Sequence, residues 1–153
     1  MAYLPRTSKK FCVSPSRQQP DPPEFLVDRS LGRLHLPAAL RSLGYRVYTL
    51  AEVYGEERSQ RVEDERWIER AGREDWVVLT KDDRIRYRKV ERDAFVAANL
   101  RVFCLTTATL GKEDQTARFV KNINRIVQRA RKPGPYIYAV YEKRLERIWP
   151  PQS

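Results

Sequence analysis

From Glu24 onward, short apolar runs alternate with stretches in which apolar residues recur every three or four positions. Phe25-Leu26-Val27 is a three-residue apolar run closed by Asp28, the pattern of a central strand buried on both faces. Leu36, Ala39, Leu40 and Leu43 then repeat at helical spacing, with Pro37 early in the helix and Gly44 where a C-terminal cap belongs. Tyr45 to Leu50 is rich in β-branched and aromatic residues and predicts a second strand. From Ser59 to Arg73 a polar stretch carries Val62, Trp67, Ile68 and Ala71 as its apolar points and predicts an amphipathic helix. Trp76 to Thr80 is the most strand-like run, followed at once by Asp82 and Asp83. A short helix from Glu91 to Leu100, a buried strand from Arg101 to Thr106, and a long helix from Lys112 to Lys132 come next. Pro133-Gly134-Pro135 stops that helix, and Tyr136–Tyr141 with Leu145–Trp149 predict a terminal hairpin or an extended strand.

Strands that alternate with helices need crossover connections, so the expected class is α/β, a parallel sheet with helices on both faces. In such sheets ligands bind outside the carboxyl ends of the strands. Asp28 and Asp82 both follow strands and would share one rim, and Asp64, flanked by Glu63 and Glu65, opens the intervening helix. Carboxylates gathered without basic partners repel each other, and a hard divalent cation such as Mg²⁺ or Mn²⁺ resolves that repulsion with oxygen ligands. Each has a plainer reading too. Asp-Arg-Ser at 28–30 is also turn chemistry, Asp82-Asp83 also suits a surface turn, and Asp64 also suits a helix's first turn. Glu52 is a weaker candidate, and Thr80 could orient a carboxylate or a water through its hydroxyl. Trp67 and Trp149 are read as packing residues.

Composition adds a partner. Among 153 residues, 30 Lys and Arg stand against 20 Asp and Glu, a formal net charge of +10. The residues through Asp83 hold 14 of each sign, so the whole excess lies after it, in 16 basic against 6 acidic residues. An acidic cluster in one half and a cationic surface in the other suit a protein that holds a cation and a phosphate backbone together. Arg84, Arg86, Arg88 and Lys89 follow the Asp82-Asp83 pair, and Lys121, Arg125, Arg129, Arg131 and Lys132 could extend a phosphate track, though both sets also suit solvated surfaces. No apolar run reaches the roughly 18 to 20 residues of a membrane-spanning helix. Residues 1–23 are rich in Pro, Ser, Gln and basic side chains and are expected to be a flexible tail before a domain at 24–153. With no apolar leader there, and with Cys12 and Cys104 forming no spaced framework, a reducing cytoplasm is the expected compartment and both thiols are expected free. A single histidine, His35, leaves little room for His-rich zinc sites or a serine triad.

Taken together, Phe25-Leu-Val-Asp28, Leu40-Arg-Ser-Leu-Gly44-Tyr-Arg-Val47, Asp64-Glu65 and Val77-Val-Leu-Thr80-Lys-Asp82-Asp83 resemble, in order and spacing, the PIN-like ribonucleases, in particular the VapC-type toxin branch. The resemblance runs from Phe25 to about Trp149. It implies a Rossmann-like sandwich, RNA cleavage by water activated on one or two Mg²⁺ or Mn²⁺ ions, an antitoxin protein as partner, and often a homodimer. By position, Asp28 looks like the first-strand metal ligand, Asp82 like the aspartate of the Thr-x-Asp motif, Asp64 like the mid-domain ligand, and Asp83 a neighbouring catalytic candidate. Where many relatives have an aspartate and a phenylalanine two and three residues past the motif aspartate, this chain has Arg84 and Ile85; Asp83, Glu52 or Glu65 could stand in. The alternatives are a PIN-like nucleic-acid-binding protein without catalysis and a phosphohydrolase with an aspartate nucleophile, the latter weakened by the lack of an Asp-x-Asp pair after the first strand.

Overall fold

The computed structural model describes residues 21–82, 86–106 and 110–151. Six strands, β1 (Phe25–Val27), β2 (Val47–Thr49), β3 (Val77–Thr80), β4 (Arg101–Cys104), β5 (Tyr136–Val140) and β6 (Leu145–Trp149), form one sheet in the order β2-β1-β3-β4-β5-β6. The first five are parallel, and β6 returns antiparallel on β5 as the hairpin the C-terminal pattern predicts. Seven α-helices stand among the described residues: α1 (His35–Ser42), α2 (Leu50–Tyr54), α3 (Glu56–Ser59), α4 (Asp64–Glu74), α5 (Lys89–Ala97), α6 (Lys112–Lys121) and α7 (Ile123–Ala130). None is long and apolar enough to cross a membrane.

Alternation along each strand sends side chains to two cores. Phe25, Val27, Val77, Leu79 and Phe103 pack with Leu36 and Leu40 of α1 and Phe119, Ile123 and Ile126 of α6 and α7. Leu26, Val78, Val102 and Ile137 pack on the opposite face with Leu50, Trp67, Ile68 and Phe95 from α2, α4 and α5. A strand buried on both faces has no polar side to show in its sequence, which is why β1 and Val77–Leu79 of β3 are uninterrupted apolar runs.

Three elements differ from the sequence reading. The helix expected from Ser59 begins only at Asp64, because residues 60–63 form a turn and a linker after α3. The second strand ends at Thr49, whose hydroxyl accepts from the Glu52 amide while the Glu52 carboxylate accepts from the Thr49 amide, a capping box that turns Leu50 into a helix start. The helix expected over Lys112–Lys132 breaks at Asn122. Asn122 is fully buried, and its amide donates to the carbonyls of Arg118, Tyr141 and Glu142, tying the break to the end of β5.

Residues 1–20, including Cys12, and Asp83, Arg84 and Ile85 lie outside the described residues, so the tail expected there has no structural account. Cys104 is a buried free thiol.

Candidate active site

Strand order fixes where the site lies. The chain passes from β1 outward to β2, then back across to β3 on the other side of β1. The C-terminal ends of β1 and β3 therefore flank the point where the winding reverses, the crevice in which open parallel sheets bind ligands. Val27 pairs with Leu79 in register, and the Asp28 amide donates to the Leu79 carbonyl at 2.9 Å, so Asp28 and Thr80 emerge side by side.

Asp28 is only 6% exposed, and its Oδ2 accepts from the Ser30 hydroxyl at 2.8 Å and the Thr80 hydroxyl at 2.9 Å. Both hydroxyls are themselves fixed. The Lys81 amide donates to Ser30 Oγ and the Asp82 amide donates to Thr80 Oγ1, each at 3.0 Å. Among the described residues no basic side chain bonds Asp28, so this buried carboxylate is oriented by neutral hydroxyl donors. Thr80 thus does orient a carboxylate, as its position after the strand suggested.

Asp64 arrives from the start of α4. The Trp67 indole N–H donates to its Oδ1 at 2.9 Å, and the Arg29 guanidinium stands 3.7 Å away while donating to the backbone carbonyls of Gln60 and Val62. Trp67 is therefore both core and positioner of an acidic group. Asp28, Asp64, Asp82 and Glu91, with Trp67 and Thr80, line one narrow pocket of about 20 Å³, room for about one water-sized body.

Glu91 is the member sequence reasoning missed. It sits in the first turn of α5, where a lone acidic residue is ordinary helix chemistry, and only the packing of α5 on α4 brings it to the pocket. Its carboxyl is pushed above the usual range by burial first; a hydrogen bond from Arg88 opposes this, and the neighbouring Asp64 charge adds to it. Ser30 was likewise missed, because its role depends on the turn Arg29–Leu31 folding its hydroxyl back on Asp28.

The other expected residues lie elsewhere. Glu52 is taken up by the Thr49 cap and by Arg41, whose guanidinium donates to both its oxygens at 2.7 and 2.9 Å, and neither it nor Glu65 lines the pocket. Arg88 bonds Glu91 at 3.2 Å and Lys89 bonds Asp93 at 2.8 Å within α5, while Arg86 stacks on Tyr87 with its guanidinium carbon 4.6 Å from the ring centre. Each of these three side chains thus has a local partner. The Lys89–Asp93 pair is exposed on both sides and worth little. Asp83 and Arg84 lie outside the described residues.

All four pocket carboxylates are hard oxygen donors, and one of them is buried and oriented by hydroxyls. That donor chemistry fits a divalent cation. As the side chains stand, no three His, Cys, Asp or Glu among the described residues are gathered closely enough to hold one.

Residues 23–107, more than half of the chain, match the model of a family described as "PIN like domain". The chain belongs to this PIN-like family. Its 37% identity over 124 residues to the Mycobacterium tuberculosis protein named "Putative ribonuclease VapC45", covering 81% of this chain and 90% of that protein, places it with the VapC-type PIN proteins. No solved structure matches the chain. The family match spans β1 to β4 and so contains every residue of the carboxylate pocket, in agreement with the resemblance in the sequence.

Proposed function

We propose that this PIN-like protein is a metal-dependent endoribonuclease and the toxin of a toxin–antitoxin pair. The observation that carries the reading is the convergence of Asp28, Asp64, Asp82 and Glu91 on one pocket at the reversal point of the sheet. The name of its M. tuberculosis relative supports RNA as substrate and an antitoxin protein as partner.

In this reading Asp28, Asp64 and Asp82, with Glu91, hold Mg²⁺ or Mn²⁺, which supplies a lowered pKa to water and neutralises charge building on the phosphoryl oxygens. Ser30 and Thr80 fix Asp28 by donating to its Oδ2, as the outer partners of ligating carboxylates do elsewhere. Trp67 and Arg29 hold Asp64 at the mouth. Arg88, exposed at the start of α5, is placed to leave Glu91 for a substrate phosphate, with Arg86 and Lys89 beside it. Asp83 and Arg84 stay candidates by sequence position.

The test is cleavage of a mixed-sequence labelled RNA by purified protein with Mg²⁺, Mn²⁺ or EDTA, beside Asp28→Asn and Asp82→Asn. Cutting that needs metal and disappears in both variants is the expected result. RNA binding without cutting under any metal would favour the non-catalytic nucleic-acid-binding reading.

A further inference from the structure

Beside the carboxylate pocket, on the other side of the β1 end, lies a larger open cavity of about 310 Å³. Its buried lining holds an apolar patch of Val27, Leu31 and Leu50 with Ala51 beside it, next to the buried hydroxyl residues Thr49 and Ser59, and its exposed lining carries Arg29, Arg33, His35, Gln60 and Lys112. The two cavities share a wall. Val27 and Arg29, the neighbours of Asp28, line the larger one, and the Arg29 guanidinium reaches across to within 3.7 Å of Asp64.

The rim is unequally committed. Arg33 pairs with Glu56, and Arg29 holds the Gln60 and Val62 carbonyls. Among the described residues, Lys112, His35 and the Gln60 side-chain amide make no hydrogen bond or ion pair. Lys112 sits over Gly32, where a Cβ would lie 3.4 Å from its Nζ, and Gly32 has a φ of 78°, so the backbone keeps that corner open for the ammonium. An unpaired ammonium, an amide offering donor and acceptor together, and an apolar patch between them meet three requirements of one ligand: a phosphate, a base edge and a base face. The volume is at the lower end of the range for small-molecule sites.

We infer that this cavity is a nucleotide subsite that takes the unpaired RNA nucleotide next to the cleaved phosphodiester, the base on the apolar patch of Val27, Leu31 and Leu50, its edge against Gln60 and its phosphate on Lys112. The inference deepens the ribonuclease reading and rests on it for the identity of the polymer. Recognition of a splayed-out base makes single-stranded RNA the substrate class, because a base held in a duplex cannot enter a cavity.

Binding and cutting are tested apart. In EDTA, where no cleavage runs, the four nucleoside 5′-monophosphates and inorganic phosphate are titrated into the ¹⁵N-labelled full chain and its Lys112→Glu and Gln60→Ala variants. Lys112 and Gln60 are exposed, so both variants should fold, and thermal unfolding checks that they do. The expected result is saturable shifts at the Gly32, Ala51 and Gln60 amides for at least one monophosphate. They should weaken about tenfold or more in Lys112→Glu, the scale of losing a charge-assisted contact, with selectivity among bases lost in Gln60→Ala. The same variants should raise KM for single-stranded RNA with kcat little changed. No shift with any monophosphate, or shifts indifferent to both variants, would overturn the subsite even if RNA is cut. Shifts with inorganic phosphate alone, or displacement by an acidic peptide with no response to nucleotides, would overturn it in favour of an anion or protein site. Nucleotide binding lost in the variants of a protein that cuts no RNA would uphold the cavity while the catalytic reading fell.

Discussion

Asp28 owes its orientation to two hydroxyls. Thr80→Val leaves its Oδ2 with Ser30 alone and also frees the Asp82 amide, so metal affinity and RNA cleavage should fall about 10- to 100-fold, the range for lost outer-shell partners. Thr80→Ser keeps the hydroxyl and should restore most of it; equal loss in both variants would mean the threonine's methyl group, rather than its hydroxyl, matters. Asp28, Asp64 and Asp82 were legible as residues of one pocket because each sits at the end or start of an element that hydrophobic patterning reveals. Glu91 and Ser30 were not. Their contributions depend on which helix packs beside which and on how one turn folds back, and neither leaves a mark on local periodicity.

The distance between Asp64 and Glu91 is an element property, set where α4 meets α5. A Cβ on Gly72 would lie 2.6 Å from Ala98 Cβ and 2.9 Å from the Ala98 carbonyl oxygen, so the helices approach there because Gly72 has no side chain. Gly72→Val must push them apart. It is expected to cost about 1–3 kcal/mol, read from denaturant unfolding, and to lower metal affinity although it touches no ligand; retained affinity with lost stability would show that the two carboxylates do not depend on this contact. Asn122 is the second such joint. Asn122→Ala strips three carbonyls of their buried donor, and an expected loss of about 1–3 kcal/mol in urea unfolding checks it. The sequence concealed this break because apolar spacing continues through it. Phe119, Ile123, Ile126 and Val127 read as one face, and the interruption is written in a single buried amide.

For the whole molecule, alternation of apolar runs and amphipathic stretches was enough for the class, the parallel sheet and the C-terminal hairpin. Strand order was not readable from it, since period and run length say which segments are strands and not which are neighbours; the place of the site at the β1–β3 reversal follows from that order. Stability should carry a marker of the first core, the one that holds Phe25, Phe103 and Phe119. The Tyr136 phenol donates to the Arg129 and Lys132 carbonyls, and burial, the largest cause, pushes its pKa up to about 12. The folded state therefore favours the neutral phenol. That contribution is whole below pH about 10, the ordinary tyrosine value, and is lost as pH rises from there through about 12. The stability advantage of wild type over Tyr136→Phe should hold at pH 8–9 and shrink across that window; an advantage unchanged with pH would refute it.

The claim on which the rest depends is that these carboxylates form a single cation site. Calorimetric titration of Mn²⁺ into the metal-free full chain, Asp28→Asn and Glu91→Gln tests it without any RNA. Saturable binding by wild type, weakened about tenfold or more in both variants while their folds persist, is the expected result. Absent binding, or binding that neither substitution changes, would contradict it.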